Sequence, residues 1–280
     1  HYAGICSAFT KKCGSCPVIG SKSNNDLSTR IFNKKKNLYK NANITLVGCS
    51  RWIANCAKQS TLTLNGIKCT SIPNPIDTDI YKKQEKNIAR AKLKLPLDKK
   101  IILFGSIKIT DERKGAQYMI DACNVLAQQY PAEILKQITL VIFGKNTGQL
   151  KPLFPFNVHC LEYISNIEDI VALYNSADVL VVPSLEDNLP NTIMEALACG
   201  TPCIGFNTGG IPEMIDHKEN GYISEYKSIN DLAKGINWVL FESDYEQLSL
   251  NSRQKVIDSY SEKIVAKQYI NLYKILINKK

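Results

Sequence analysis

The sequence predicts an α/β protein built on a doubly wound parallel sheet. Short, continuously apolar runs such as "ITLVIFG" (138–144), "VLVV" (179–182) and "PCIGF" (202–206) alternate with amphipathic helical stretches. Strands without polar alternation are strands covered on both faces, as in parallel sheets. Glycine, proline or short polar residues punctuate the ends of these runs.

The elements follow in chain order. Residues 1–30 lack periodicity and read as loop. "RIFNKKKNLYKNA" (30–42) has a basic helical pattern, with Ile31, Phe32, Leu38 and Tyr39 on its apolar side. "NITLVGCS" (43–50) reads as a buried strand, "RWIANCAKQSTL" (51–62) as a helix, and "GIKCTSIPNPID" (66–77) as a strand closed by prolines, a β-α-β pattern. Residues 74–97 are polar and proline-bounded, the composition of a linker.

Beyond 98 the alternation is regular. A strand at Ile101–Phe104 precedes a helix over 114–129, where Ala116, Met119, Ile120, Cys123 and Ala127 share one face. Strands at 138–144 and within 157–164 follow, then a helix over 166–177 and a strand at 179–182. A helix at Asn191–Cys199 is stopped by Gly200. A strand at 202–206, a short helix with Pro212 in its first turn and a strand at 221–224 complete the sheet. Helices fill the rest. The expected division is 1–81, a linker at 82–97, a domain over 98–258, and a final helix at 259–280 that crosses back to the N-terminal part.

At ~150 residues per domain, 280 residues make about two domains. An apolar content of 44% is enough for a buried core. No run approaches the ~18 apolar residues of a membrane span. There is no signal peptide, and the opening on His1 without an initiator Met reads as a fragment or a processed chain; the expected location is the cytoplasm.

The net charge is +9, with Lys34, Lys35, Lys36 and Lys40 clustered. Such a cluster is a solvated face, or it attracts anions, including the acidic inner surface of a membrane for a peripheral protein. Nucleic acid is not expected as a partner, since no RNA-binding or helix-turn-helix signature accompanies the charge. Six of the ten cysteines sit in apolar patterns, where thiols act as small hydrophobes in a reducing compartment. Cys6, Cys13 and Cys16 instead crowd a polar loop. With His1 they would complete a four-ligand zinc set; free thiols are the competing reading.

Ligands of doubly wound sheets bind outside the carboxyl ends of the strands. Four loops therefore matter, after residues 104, 144, 182 and 206. "GSIKITDERKGA" (105–116) offers a glycine for close approach, with Lys108, Arg113 and Lys114 near a helix start. Cations there are unfavourable for the helix dipole unless an anion lies between. "NTGGIPE" (207–213) places Gly209 and Gly210 before another helix start, suiting either a phosphate or a tight turn. No G-x-G-x-x-G follows a strand and no G-x4-G-K-[ST] occurs, which argues against a dinucleotide dehydrogenase and excludes a P-loop.

"PSLEDNLPNTIMEALACGTP" (183–202) sets Asp187 in the loop after an apolar strand and Glu195 eight residues later on a helix. Thr192-x-x-Glu195 fits a capping box. That leaves the acidic loop itself unexplained; paired carboxylates also suit the hydroxyls of a ribose or sugar ring.

This stretch, continued through "CIGFNTGGIPEMIDHKENGY", resembles the donor site of glycosyltransferase family 4, retaining enzymes of GT-B fold. The shared pattern is an acid, seven residues, a Glu, a small-residue helix, G-x-P and a GG-x-x-E turn. "GSIKITDERKG" resembles that family's phosphate loop, "SIPNPID" its interdomain strand, and "HYAG…FTKKCGSCPVIGS" the active-site histidine segment of relatives that build surface polysaccharides. The resemblance implies a complete C-terminal Rossmann-like domain and the tail of an N-terminal, acceptor-side Rossmann-like domain.

It also implies roles. Glu195 would bind the nucleotide ribose. Asp187, with the amides of Asn188, Leu189 and Pro190, would hold the hydroxyls of the donor sugar. Lys114, with Lys108 or Arg113, would neutralise the diphosphate, and Gly209 and Gly210 would offer amides to it. His1 would lie near the reacting face of the sugar. The donor would be a UDP- or GDP-linked sugar and the acceptor a glycan or lipid-linked glycan, with no cofactor and no metal. Binding without turnover and sugar-nucleotide epimerisation are the alternatives. Two positions depart from the family: Asp187 stands where Glu is usual, and Ser106 where Arg is usual.

Overall fold

The computed structural model of the protein describes residues 6–64, 66–108 and 111–278. The chain divides into two compact units, His1–Pro73 and Asn74–Lys280.

In the first unit, strands β1 (Thr45–Gly48) and β2 (Lys68–Ser71) pair in parallel. The connection between them carries helix α2 (Arg51–Gln59), whose start is capped by Ser50 Oγ accepting from the Ile53 amide at 3.1 Å. Helix α1 spans Leu27–Tyr39, beginning three residues earlier than its basic pattern suggests. The reason is Asp26, whose carboxylate accepts from the Thr29 and Cys16 amides and the Ser28 hydroxyl. Those bonds hold its pKa far below the usual carboxylate range. Cys13, Phe32 and Leu62 form a small core here.

The second unit opens with helix α3 (Lys86–Lys92), then strand β3 (Lys100–Lys108), helices α4 (Ala116–Gln129) and α5 (Ala132–Leu135), and strands β4 (Ile138–Lys145) and β5 (Asn157–Leu161). Helix α6 (Ile167–Ser176), strand β6 (Val179–Val182), helix α7 (Asn191–Ala198) and strand β7 (Cys203–Phe206) follow. Helix α8 (Ile211–Met214), strand β8 (Gly221–Ser224) and helices α9 (Ile229–Asn237), α10 (Tyr245–Tyr260) and α11 (Glu262–Ile277) complete it. All six strands, β3 to β8, are parallel, in the order β5-β4-β3-β6-β7-β8. This is the strand order of a dinucleotide-type Rossmann sheet, and it reverses between β3 and β6.

The sheet is covered on both faces, which explains its unbroken apolar strands. Ile101, Ile102, Leu103 and Phe104 are all fully buried. Helix α4 packs beside α9, α3 beside α6, and α7 beside α10. Among the described residues no helix is long and apolar enough to cross a membrane.

Two expectations need correction. The stretch 82–97, polar enough to read as a linker, contains α3 and belongs to the second unit, and the chain divides after Pro73 rather than at 81. Part of its polarity is internal, although most of its lysines remain exposed. The buried Arg90 donates to Ser176 O, Leu97 O and Asp178 Oδ2, and Asp178 also accepts from the Ile101 amide and Lys86 Nζ. A polar segment whose charges satisfy one another packs like an apolar one.

The second concerns β3, which runs four residues past Phe104. Up to Phe104 it pairs with β4 on one side and β6 on the other; beyond that only the β4 pairing continues. The β3 and β6 chains part at the topological switch, and a hollow opens between them.

Candidate active site

That hollow, about 410 Å³, is lined by Gly105, Ser106, Asp111, Lys114, Ser184 and Asp187, among others. A second, of about 250 Å³, adjoins it along Ser106, Asn191 and Thr192 and extends past Gly144, Tyr163 and Ile164 to Glu195. Every element supplying these residues belongs to the second unit.

Glycines allow the loops around the hollow to touch backbone to backbone. Gly115, at φ +71°, lies against the Pro183 carbonyl, where an added Cβ would sit 1.9 Å from the oxygen. Next to it the Leu185 amide donates to Arg113 O at 2.8 Å, tying the loop after β6 to the loop after β3. Gly209, at φ +58°, lies against the Asp187 carbonyl, with 1.8 Å for the same Cβ. Only glycine fits either place, because the space and the left-handed conformation both exclude a side chain.

Asp187 is thereby fixed. Its carbonyl accepts from the Gly210 amide at 3.1 Å. Its carboxylate accepts from Lys114 Nζ at 2.7 Å and from the Asn188 amide at 3.1 Å. Lys114 is led to this position by a short turn, Glu112–Lys114, which Asp111 caps. Arg113 is turned to Asp111, donating to Oδ2 at 2.7 Å, and its charge and hydrogen bonds lower the Asp111 pKa.

Glu195 sits in the second hollow. Its carboxylate accepts from the buried Tyr174 hydroxyl at 2.7 Å and from Tyr81. Burial raises its pKa above the usual carboxylate value, and the two phenols work against that shift. Burial, together with the nearby Glu195 charge, pushes the Tyr81 phenol up to about 12. Arg253 on α10 holds the backbone around Tyr81, donating to Tyr81 O, Ala198 O and Thr78 O.

Two buried hydroxyls in the wall of the larger hollow, Ser106 Oγ and Ser184 Oγ, have no hydrogen-bond partner. Leaving such a group unsatisfied costs roughly 1–3 kcal/mol.

The structure lines the two hollows with Lys114, Asp187, Leu189, Pro190 and Glu195, while Asn188 meets the site through its amide on the Asp187 carboxylate. Pro190 has no amide hydrogen to offer, and caps the start of α7 without a side-chain bond. The capping-box alternative for Glu195 fails, because α7 already begins at Asn191 and the carboxylate is held by tyrosines. Gly210 spends its amide on Asp187 instead of leaving it for a phosphate, so the glycine turn acts through the acid it fixes. Lys108 ends β3, and His1 lies outside the described residues.

Among the described residues no group of three or more His, Cys, Asp or Glu is placed to hold a metal. Cys6, Cys13 and Cys16 are free thiols, and burial raises the Cys13 pKa. Sequence reasoning missed Tyr81, Tyr174, Asn191, Thr192 and Ser184. For the tyrosines no local pattern exists to read, since each lies far along the chain from Glu195.

The pattern of the family "Glycosyl transferases group 1" matches residues 85–257. An uncharacterized glycosyltransferase of Methanocaldococcus jannaschii is 30% identical over 72% of this chain and 52% of its own length. N-acetyl-alpha-D-glucosaminyl L-malate synthase of Bacillus anthracis is 27% identical over the same shares. The chain spans about half the length of these curated relatives.

Among solved structures, sucrose-phosphate synthase from Thermosynechococcus elongatus superposes with a TM-score of 0.72 at 23% identity, over 91% of this chain and 63% of that one. Anabaena HepE in complex with UDP and glucose superposes with 0.68 at 21% identity, over 86% and 66%. The GT-B fold expected from the motifs is therefore the fold found. With the family pattern covering more than half of its residues, the chain belongs to the group 1 glycosyl transferases.

Proposed function

We propose that the protein is a retaining, family 4 type glycosyltransferase that moves a sugar from a nucleotide-diphosphate sugar to a glycan or lipid-linked acceptor in surface polysaccharide synthesis. The observation that carries this reading is the meeting of Lys114 with Asp187 at the switch point, one hollow away from Glu195. The Anabaena structure of the same fold holds UDP and glucose, which supports a nucleotide sugar as donor.

The larger hollow takes the diphosphate and sugar. Lys114 and the uncapped start of α7 face the leaving diphosphate, whose charge grows as the glycosidic bond breaks. Asp187 accepts from sugar hydroxyls and favours an oxocarbenium-like centre electrostatically. The smaller, mainly apolar hollow takes the nucleoside, with Glu195 accepting from ribose hydroxyls. Lys108, Gly209 and His1 complete the proposed set, Gly209 by fixing Asp187. UDP- and GDP-linked sugars are the donors to try first, at the cytoplasmic face of an anionic membrane.

The test is calorimetry with UDP and GDP on the protein and on Lys114→Ala, beside turnover assays with and without acceptor. The reading expects Lys114→Ala to weaken diphosphate binding at least tenfold. Unchanged affinity removes it. Binding without transfer identifies a donor-binding module, and conversion of donor alone identifies an epimerase.

A further inference from the structure

Among its described lining residues the larger hollow offers few cations for a diphosphate. Lys114 is its one cation among the described lining residues, and it is already paired with Asp187. Arg113 nearby is paired with Asp111. The position after Gly105 holds a neutral serine. Yet two hydroxyls in the wall, Ser106 Oγ and Ser184 Oγ, are shut from solvent and bonded to nothing.

Their placement is built. Ser106 lies within β3, just past Gly105 and beyond the last residue paired with β6, and Ser184 follows β6 by way of Pro183, so they flank the crevice from its two strands. The backbone on both sides of Ser184 is held: Pro183 O lies against Gly115, and the Leu185 amide donates to Arg113 O. Ser106 O lies against Gly144 in the same way. Ser184 is fully buried. Rigid backbone beneath an unsatisfied hydroxyl leaves one cheap adjustment, rotation about the Cα–Cβ bond.

We infer that Ser106 and Ser184 are diphosphate ligands, each turning its hydroxyl into the hollow to donate to a phosphate oxygen when the donor enters. This rests on the donor-site reading above and deepens it. Two neutral donors share the anion with Lys114, so the site binds a diphosphate with a single lysine among its described lining residues. Hydroxyl donors to an anionic oxygen are among the stronger hydrogen bonds. Because the hydroxyls make no hydrogen bond without ligand, removing them should leave the unliganded fold no less stable while weakening diphosphate binding.

Ser106→Ala and Ser184→Ala separate the possibilities, each measured by calorimetry with UDP, GDP and the matching nucleosides, and by thermal unfolding without ligand. The expected result is diphosphate binding weakened roughly 10- to 100-fold, nucleoside binding unchanged, and an unliganded midpoint equal to or above that of the parent. Diphosphate binding equal to the parent's overturns the inference while leaving the donor site intact. Equal weakening of nucleoside and diphosphate, or a lowered unliganded midpoint, overturns it in favour of a structural role. If the parent protein binds no nucleoside diphosphate, the donor-site reading falls first and this inference with it.

Discussion

Lys114 Nζ lies 2.7 Å from Asp187 Oδ2, so the cation proposed for the diphosphate and the acid proposed for the sugar hold each other. Their side chains are 32% and 16% exposed, which keeps solvent screening in play. On the proposed reading, a bound donor draws Lys114 at least partly away from Asp187.

Asp187→Asn should therefore separate the two roles. Relieved of its carboxylate partner, Lys114 is freer for phosphate, and the nucleoside diphosphate alone should bind as tightly as before or a few-fold more tightly. The advantage of the sugar-bearing nucleotide over the bare diphosphate should fall by about tenfold. Stability should drop by about 1 kcal/mol, as for a partly exposed pair whose charges remain screened by solvent. Titration calorimetry with both ligands reads the outcome, and equal losses for the two would contradict the division of labour.

Gly209→Ala attacks the same acid through the backbone. The new Cβ would meet the Asp187 carbonyl at 1.8 Å in a left-handed conformation, so the two loops must separate. We expect a loss of roughly 1–3 kcal/mol in unfolding free energy, from the strained conformation, and donor affinity lower by tenfold or more. Urea unfolding beside calorimetry checks both. A variant with parental stability and binding would show that the turn does not set Asp187.

Asp178 joins Arg90, Lys86 and the Ile101 amide at the amino ends of β3 and β6, where it is 6% exposed. Asp178→Ala strands the buried Arg90 guanidinium, and by the measure of broken buried pairs should cost about 3–5 kcal/mol. Donor binding, measured below the new midpoint, should be unchanged, because the hub lies away from the two hollows. Chemical denaturation would expose a smaller effect, below about 1 kcal/mol, as evidence that residues 82–97 are the loose linker their composition suggests.

Glu195 makes stability pH-dependent in a definite direction. Burial raises its folded pKa above its unfolded value, so the folded state holds its proton more tightly. Its contribution to stability is fully present below the unfolded pKa and is lost as pH rises through the folded one. The stability of the protein relative to Glu195→Gln should thus decline as pH rises from about 4. Parallel urea titrations across that range give the difference, and a trend of opposite sign would mean that the tyrosine hydrogen bonds outweigh burial.

Much of this architecture was legible along the chain. Unbroken apolar strands announced a sheet buried on both faces, and Gly200 and Pro212 marked helix ends where they were found. Asp187 and Glu195 stood out because acids at the carboxyl end of an apolar strand contradict their surroundings. Short-range chemistry of this kind is written in neighbouring residues. The segment 82–97 misled because polarity reads the same whether water or an opposite charge satisfies it, and Arg90 meets Asp178 only across 88 residues of chain.

The sequence by itself determined the fold class, the loops at the strand ends and the acids and lysine they carry, since periodicity, turn chemistry and residue type are local properties. Only the tertiary structure decided how those groups are used. It pairs Lys114 with Asp187, directs the Gly210 amide to a carbonyl, gives Glu195 two phenols, and leaves Ser106 and Ser184 unbonded. Hydrogen-bond partners depend on where β3 and β6 part, and that place is set by the packing of the whole sheet.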